Sequence, residues 1–448
     1  MSSLHRLDHV RSFFQRGKFG IWSFGFLIGL TTGLGALAFA RLHKALAVAY
    51  MRRKLRRAPH KAPEEDDEFE PIQLRRNDSV ATGIDGLIGN TPLLRIKSLS
   101  DLTGCEILGK AEFLNPGGSP KDRVALQIIQ EAEESGELVP NMGSWIFEGT
   151  VGSTGISLAT LARAKGYNCC IVVPDDVAEE KAVLLRRLGA TVELVRPRGI
   201  VDPRHFVNEA RARAQNWKPD ENEPYATAFF ADQFETEANF YAHYQHTGPE
   251  IWKQTNGELD AFVSGTGTGG TLSGVATFLK ETAKVQGRRH SPLIVVADPP
   301  GSGVYNRIKF GVMYNSTEAE GTRRRYQVDT VVEGIGLNRL THNLELGLPV
   351  IDTAEHVTDD EAVRMSRWLA KHDGLFLGSS SAVHCVAAVR TALRLKKDDS
   401  LRTHRDRPII VTILADSGTR HLSKFQNDDV MQARGLRVDD DISDILQG

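Results

Sequence analysis

The strongest constraint on the fold is an alternation of short apolar runs with helical stretches that begins near Val80. One such pair is SWIFEGT, typical of a strand, followed by GISLATLARAKG, typical of a helix. The same pairing recurs in NCCIVVPDD with EKAVLLRRLGA, and in LDAFVSG with TLSGVATFLKETA. Such alternation favours parallel β-sheets covered by helices. Because about 370 residues are too many for one such sheet, we expect two three-layer α/β domains.

Composition excludes several classes of protein. Four cysteines in 448 residues argue against a disulfide-stabilised scaffold, and their positions show no zinc-site spacing, so no metal is expected. A net charge of −2 excludes a generally basic nucleic-acid-binding protein.

An uncharged segment of 22 residues, 19–40, lies near the N-terminus. As a helix it would span about 33 Å, enough for the hydrocarbon core of a bilayer. Basic residues flank it on both sides, and its end lacks a clear cleavage site for a signal peptidase. We therefore expect one N-terminal transmembrane helix that contacts the lipid bilayer, with a buried helix of a soluble protein as the alternative.

The charge distribution supports an appended segment. Residues 1–60 hold 11 Lys and Arg and one acidic residue, a sum of +10, which leaves −12 for the rest. We expect a membrane anchor over 1–57 and a linker over 58–79 that is rich in proline and acid. The basic C-terminal flank predicts that the body faces the cytosol, which suits an anchor in the mitochondrial outer membrane or the endoplasmic reticulum. The mitochondrial inner membrane is the alternative, because residues 1–18 contain arginine and are poor in acid.

A glycine-rich stretch, SGTGTGGTLSG at 264–274, lies between a strand pattern and a helix pattern. Glycines let the backbone approach an anion closely, and a helix N-terminus supplies free N–H donors. Thr268 and Thr271 add hydroxyl groups. The stretch predicts a phosphate site, and because its glycines also fit G-x-G-x-x-G, a dinucleotide site stays open as an alternative.

A lysine stands at the predicted start of a helix in NPGGSPKDRVA, residues 115–125. The helix dipole and desolvation would both favour a neutral amine on Lys121. Because a neutral amine can form a Schiff base with an aldehyde, this lysine and the phosphate loop together predict a pyridoxal 5′-phosphate site.

Two further turns precede predicted helices. EGTVGSTGISLA, residues 148–159, would present N–H groups to a substrate carboxylate. GLFLGSSSAVHCVAAV, residues 374–389, places three serines at the start of a helix, where they would cap it or contact a cofactor ring nitrogen.

These motifs, in this order, resemble the cysteine synthase and cystathionine β-synthase family of pyridoxal-phosphate enzymes, which have fold type II. IGNTPLLRI at 88–96 is similar to the family's opening signature and NPGGSPKDR to its Schiff-base motif. With the N-terminal segment, the combination resembles the membrane-anchored mitochondrial cysteine synthase-like proteins of fungi. The resemblance implies a catalytic body over 80–430, with a smaller lobe of about 115–236, a larger lobe of about 80–114 plus 237–430, and a tail over 431–448.

The resemblance also implies the site residues, with Lys121 as the catalytic one. The implied cofactor-binding residues are Lys121, Ser153, Gly267, Thr268, Gly269, Gly270, Thr271 and Ser380. The implied substrate-binding residues are Thr150, Val151, Gly152, Thr154 and Gln233. EGIG at 333–336 resembles a loop that closes over the cofactor.

This chain departs from the family in the loop that usually reads Thr-Ser-Gly-Asn-Thr. Val151 lacks a hydroxyl near the substrate, and Ser153 replaces the asparagine that contacts the 3′-oxygen of the cofactor. Ala382 stands where the glycine after the serine pair is usual. The substrate and the rate therefore stay open.

The resemblance implies β-replacement that forms L-cysteine from O-acetyl-L-serine and sulfide through an aminoacrylate intermediate. A cysteine desulfhydrase that releases sulfide from cysteine is the alternative with the same cofactor. A membrane-tethered scaffold without catalytic activity is the alternative of another class. The implied partners are the small-molecule substrates and a second copy in a homodimer, and no nucleic acid is expected.

Overall fold

The computed structural model describes residues 80–447, except positions 151, 176, 178 and 289 and the segments 316–329 and 398–405. The predicted anchor at 19–40, the linker at 58–79 and Val151 lie outside the described residues. In the part of the chain that is described, no helix is both long and apolar enough to cross a membrane.

Strands and helices alternate along the described chain. The strands are β1 Leu93–Arg95, β2 Glu106–Ala111, β3 Trp145–Gly149, β4 Asn168–Pro174, β5 Thr191–Val195, β6 Ala228–Phe230, β7 Ala261–Ser264, β8 Leu293–Asp298, β9 Thr353–His356 and β10 Ile409–Leu414. The α-helices are α1 Lys97–Thr103, α2 Lys121–Ser135, α3 Ser153–Lys165, α4 Glu179–Arg187, α5 Phe206–Asn216, α6 Ala238–Ala242, α7 Gly248–Gln254, α8 Gly270–Val285, α9 Val304–Phe310, α10 His342–Gly347, α11 Asp359–Asp373, α12 Ser379–Lys397 and α13 Asp428–Ala433. A π-helical turn, His243–Thr247, joins α6 to α7.

The strands form two sheets. The six-stranded sheet has the order β1-β2-β10-β7-β8-β9, and only β1 runs antiparallel to its neighbour. The four-stranded sheet has the order β5-β4-β3-β6 and is parallel throughout. Because the carboxyl ends of parallel strands share one edge, the loops after β3, β7 and β8 lie where such sheets bind ligands. The prediction of an α/β fold is confirmed.

Apolar strands explain why the larger sheet is buried on both faces. All four residues of β7 are buried, as are the last five of β8, which reads LIVVAD. β-Branched residues pack well in strands that are covered on both sides. Helix α12 lies against this sheet and contributes 14 buried residues, so its first turn is held rigidly beside the strand ends.

Helix α11 begins with a capping box and ends at a glycine. The hydroxyl of Thr358 accepts the N–H of Glu361, and the carboxylate of Glu361 accepts the N–H of Thr358, which completes a capping box. Gly374 ends the helix at φ +67°, a left-handed conformation that glycine adopts without strain.

The final residues pack on the larger sheet's helices. Ile442 and Ile445 are buried, and the guanidinium of Arg364 binds both carboxylate oxygens of Asp444 at 2.6 and 2.8 Å. A buried arginine therefore ties α11 to the C-terminal segment.

Candidate active site

Lys121 is the first residue of α2, and the turn-rich sequence before it positions its amine. The residue is partly buried, and loss of hydration lowers the pKa of the amine to about 8. Within the described residues the amine makes no hydrogen bond or ion pair. A substantial neutral fraction near neutral pH makes it a nucleophile and a base.

Buried ion pairs behind Lys121 hold the start of α2 in place. Arg123 binds the carboxylate of Glu112 through Nε and Nη2, both at 2.8 Å, and that of Glu250 through Nη1 at 2.6 Å and Nη2 at 2.8 Å. Lys110 binds Glu250 at 2.6 Å. Burial alone would raise the pKa of Glu250, but the charges of Arg123 and Lys110 lower it to about 2. The network fixes α2 to β2 and α7.

The glycine-rich loop between β7 and α8 has no space for side chains at its glycine positions. A Cβ on Gly267 would come within 2.1 Å of the carbonyl oxygen of Gly334, and one on Gly270 within 2.0 Å of Oδ1 of Asn239. Gly269 has φ +96°, which strains other residues. The loop packs directly against the 333–336 loop and α6, and only glycine fits at these positions. The loop leads into the 16-residue helix α8, whose first N–H groups are anion donors.

Polar side chains join this loop to the other predicted site residues. Asn239 Nδ2 donates to Oγ1 of Thr268 at 2.7 Å and to the carbonyl oxygen of Gln233 at 2.8 Å. Thr154 donates its hydroxyl to Oε1 of Gln233. The 150–154 loop, Gln233 and the glycine-rich loop thus form one connected set.

The three serines at the start of α12 have different contacts. Ser379 accepts the N–H of Glu333 at 2.9 Å, and Ser381 accepts the N–H of Ala415 at 2.9 Å. The hydroxyl of the buried Ser380 makes no hydrogen bond within the described residues. Ser380 is therefore the serine of the three whose hydroxyl is left available for a ligand, and its contact with a cofactor ring nitrogen stays a prediction.

The 150–154 loop connects β3 to α3. Gly152 donates its N–H to Oγ1 of Thr150 at 3.3 Å, and Ser153 is the half-buried first residue of α3. A Cβ on Gly152 would come within 3.0 Å of the side chain of Lys181. Free N–H groups at this helix N-terminus are suited to a carboxylate.

Glu148, which precedes this loop on β3, is a site residue that the sequence analysis misses. Its carboxyl is fully buried, and Oε1 accepts Nε2 of Gln233 at 3.1 Å. Burial first, and then the charge of Asp232, raise the pKa of Glu148 to about 8, so that it is protonated at neutral pH. A charged residue type inside the apolar run WIFEG is the signal that would have identified it.

Charged side chains also connect α4 to the 333–336 loop. Lys181 on α4 forms an ion pair with Glu333. The buried His421 places Nε2 at 2.9 Å from Oδ2 of Asp416, and its Nδ1 lies 3.6 Å from Oε2 of Glu333. The sequence analysis identifies only Glu333 of these four, through the EGIG motif.

Potential metal-ligating side chains do not cluster in the described part of the chain. No group of three or more His, Cys, Asp and Glu residues there could hold a metal ion. The four cysteines are buried and unpaired.

Known proteins similar to this chain include one enzyme family and several fungal proteins. A family model described as pyridoxal-phosphate dependent enzyme matches residues 84–404. "Cysteine synthase 2" of Neurospora crassa is 55% identical over 388 residues, which cover 82% of this chain and 82% of that protein. "Cysteine synthase 2" of Schizosaccharomyces pombe is 53% identical over 359 residues, 80% of this chain and 87% of that protein. A Saccharomyces cerevisiae protein named "Putative mitochondrial cysteine synthase" is 53% identical over 343 residues, 77% of this chain and 83% of that protein.

Proposed function

Since this chain belongs to the pyridoxal-phosphate dependent enzymes, we propose that it forms L-cysteine from O-acetyl-L-serine and sulfide. The observation that carries the proposal is the partly buried amine of Lys121, which has a lowered pKa and no hydrogen bond within the described residues. The fungal relatives named cysteine synthase support the choice of reaction.

The donors of the candidate site fit the cofactor. We propose that Lys121 holds its aldehyde, that Gly267–Thr271 and the N-terminus of α8 hold its phosphate, and that Ser380 contacts its ring nitrogen. The fit rests on the Lys121 amine and the Ser380 hydroxyl, which make no hydrogen bond to any described residue, and on the glycines of the loop, where an added Cβ would collide. When bound, pyridoxal phosphate supplies an aldehyde for amines and a ring that withdraws electrons from the α-carbon of the substrate.

Lys121 then acts as the base. With pyridoxal phosphate bound, the neutral amine of Lys121 would remove the proton from the α-carbon of the substrate, and a pKa of about 8 suits this transfer near neutral pH. Ser380 offers a hydroxyl rather than a carboxylate, so it does not stabilise a proton on the ring nitrogen. We expect that property to favour prompt loss of the β-substituent.

The 150–154 loop orients the substrate. We propose that Thr150, Thr154 and the first N–H groups of α3 bind the substrate carboxylate and that Gln233 lines the same pocket. Val151, Gly152 and Ser153 complete this loop, with Ser153 reaching the cofactor through water. Holding the carboxylate aligns the α C–H bond with the amine of Lys121.

The test is an assay of the purified full chain with pyridoxal phosphate. Cysteine formation from O-acetylserine and sulfide is expected, together with a visible absorption band of the lysine-bound cofactor. Lys121→Ala should abolish both. Lys165→Ala is the matched control, because Lys165 forms an ion pair with Glu133 away from the loops of the site, and it should retain both.

The same assay separates the alternatives. Sulfide release from cysteine that exceeds cysteine formation would favour a desulfhydrase, which the altered 150–154 loop motivates. A wild-type chain without the absorption band would favour a non-catalytic scaffold. Turnover no faster than that of Lys121→Ala would refute the proposed reaction.

We also propose that residues 19–40 anchor the chain in a mitochondrial membrane, with the outer membrane and a cytosolic body as the first choice. The name of the Saccharomyces cerevisiae relative supports mitochondria, and the uncharged length of the segment supports a span. Membrane association that resists carbonate extraction and is lost on deletion of residues 1–44 is expected. A full chain that carbonate extracts would refute the anchor.

The arrangement of the catalytic body is also a proposal. We assign the smaller lobe to about 115–236 and the larger to about 80–114 plus 237–430, with the cofactor between them, and we expect a homodimer. The four-stranded sheet supports the smaller lobe, since its strands lie between Trp145 and Phe230. Light scattering after gel filtration would measure the oligomeric state.

A further inference from the structure

The π-helical turn His243–Thr247 lies against the start of α8. A Cβ on Gly274 would come within 2.9 Å of the Cβ of His243, so the two elements are in close contact at this point. His243 and Thr247 are fully buried. π-Helical turns are rare and occur frequently at functional sites.

The imidazole of His243, in this π-helical turn, bridges two threonines. Its Nε2 lies 3.0 Å from Oγ1 of Thr271 in the phosphate loop, and its Nδ1 lies 3.0 Å from Oγ1 of Thr247. The ring therefore connects a hydroxyl of the proposed cofactor site to a hydroxyl of the protein interior.

The hydrogen-bond partners of His243 determine which of its ring nitrogens carries the proton. The hydroxyl of Thr247 has Nδ1 of His243 as its one hydrogen-bond neighbour in the described part of the chain. If Nδ1 carried the proton, the buried O–H of Thr247 would have no acceptor, which costs about 1–3 kcal/mol. The O–H of Thr247 therefore donates to Nδ1, and the proton of the ring is on Nε2.

This position of the ring proton makes the hydroxyl oxygen of Thr271 an acceptor. The Nε2–H of His243 donates to Oγ1 of Thr271, so the proton of the Thr271 hydroxyl is not used by any residue that the structure describes. A charged ring would prevent the arrangement, because both nitrogens would then be donors. Burial first, and then the charges of Lys121 and Arg123, lower the pKa of His243 well below its usual value and keep the ring neutral.

We propose that His243 is a positioning residue that directs the hydroxyl proton of Thr271 toward the phosphate group of the cofactor. The inference rests on the proposed function, which assigns that phosphate to Gly267–Thr271. His243 itself would not touch the cofactor; it would act through Thr271, and Thr247 would act through His243.

The test compares two probes that differ only in the phosphate. Apo protein is titrated with pyridoxal phosphate and with pyridoxal, which has the same ring and aldehyde. His243→Ala is expected to weaken binding of pyridoxal phosphate about 10- to 100-fold, since one hydrogen bond to a charged group is lost. Binding of pyridoxal should be unchanged, and His243→Gln, which keeps an N–H donor, should restore part of the loss.

Removal of the buried His243 carries a risk to folding. A second pair of variants is therefore made at Thr247, one without the hydroxyl and one that keeps it. Thr247→Val removes the hydroxyl that fixes the proton on Nε2 and should weaken binding of pyridoxal phosphate alone, whereas Thr247→Ser should bind like the wild type. In a Thr271→Val background, Thr247→Val should have no further effect.

The outcomes separate the two proposals. Selective loss of phosphate-dependent affinity in Thr247→Val, with recovery in Thr247→Ser, supports the inference. A wild-type ratio of the two affinities in both Thr247→Val and His243→Ala would overturn it and leave the proposed function intact. A wild-type protein that binds pyridoxal as tightly as pyridoxal phosphate would overturn both, because the loop would then not be a phosphate site.

Discussion

Glu148 makes the stability of this protein depend on pH in an unusual direction. Its carboxyl is buried beneath the 150–154 loop, and its pKa rises from 4.5 to about 8 on folding. Between those values the folded chain holds a proton that the unfolded chain releases. A rise in pH therefore favours unfolding through this group, and the penalty is complete only above about pH 8.

The magnitude follows from that difference in pKa. Each pH unit between 4.5 and about 8 costs about 1.4 kcal/mol of folding free energy, or roughly 5 kcal/mol across the interval. Glu148→Gln removes the titration and keeps an oxygen that accepts Nε2 of Gln233. We expect the free energy of unfolding of the variant, relative to the wild type, to increase steadily from pH 5 to pH 8.

The assay is equilibrium unfolding in urea at pH 5, 6, 7 and 8, with both proteins saturated with cofactor. Glu134→Gln is the matched control, because Glu134 is exposed on α2 and loses little hydration on folding. Its difference from the wild type should show no such increase. If the curves for Glu148→Gln and the wild type run parallel over this range, the carboxyl of Glu148 is ionised in the folded protein and the reasoning is wrong.

Three further results are expected. Arg123→Met should lower the free energy of unfolding by about 3–5 kcal/mol, because the carboxylates of Glu112 and Glu250 stay buried without it; a loss below about 1 kcal/mol in urea unfolding would contradict this. Thr358→Ala should cost about 1 kcal/mol through loss of the capping box, with Thr358→Ser close to neutral by the same measurement. The rate at which apo protein forms its absorption band with pyridoxal should rise with pH through about 8, as the amine of Lys121 loses its proton; a midpoint near 10 would show that the amine is fully hydrated.

Local features of this fold are predictable because they depend on neighbours in the chain. The helix that begins at Lys121, the glycine loop before α8 and the capping box of Thr358 each follow from a few adjacent residues. The family resemblance adds Ser380 and Gln233, which no local pattern distinguishes from other serines and glutamines.

Contacts between distant parts of the chain are not predictable in the same way. His243 meets Thr271 across 28 positions, and Glu148 meets Gln233 across 85. These contacts depend on how the π-helical turn packs on α8 and how β3 pairs with β6, and no periodicity of the sequence specifies either. Burial of Glu148 and His243, which sets their protonation, follows from the same packing.

The position of β10 has a consequence for how the protein is synthesised. This strand, Ile409–Leu414, lies between β2 and β7 and pairs with Glu106–Ala111 some 300 positions earlier. The strands of the four-stranded sheet, by contrast, lie within one continuous stretch. During translation the smaller sheet can form early, whereas β2 and β7 wait with unpaired edges until the last strand leaves the ribosome. A nascent chain stalled before Ile409 would therefore present two apolar strand edges to chaperones.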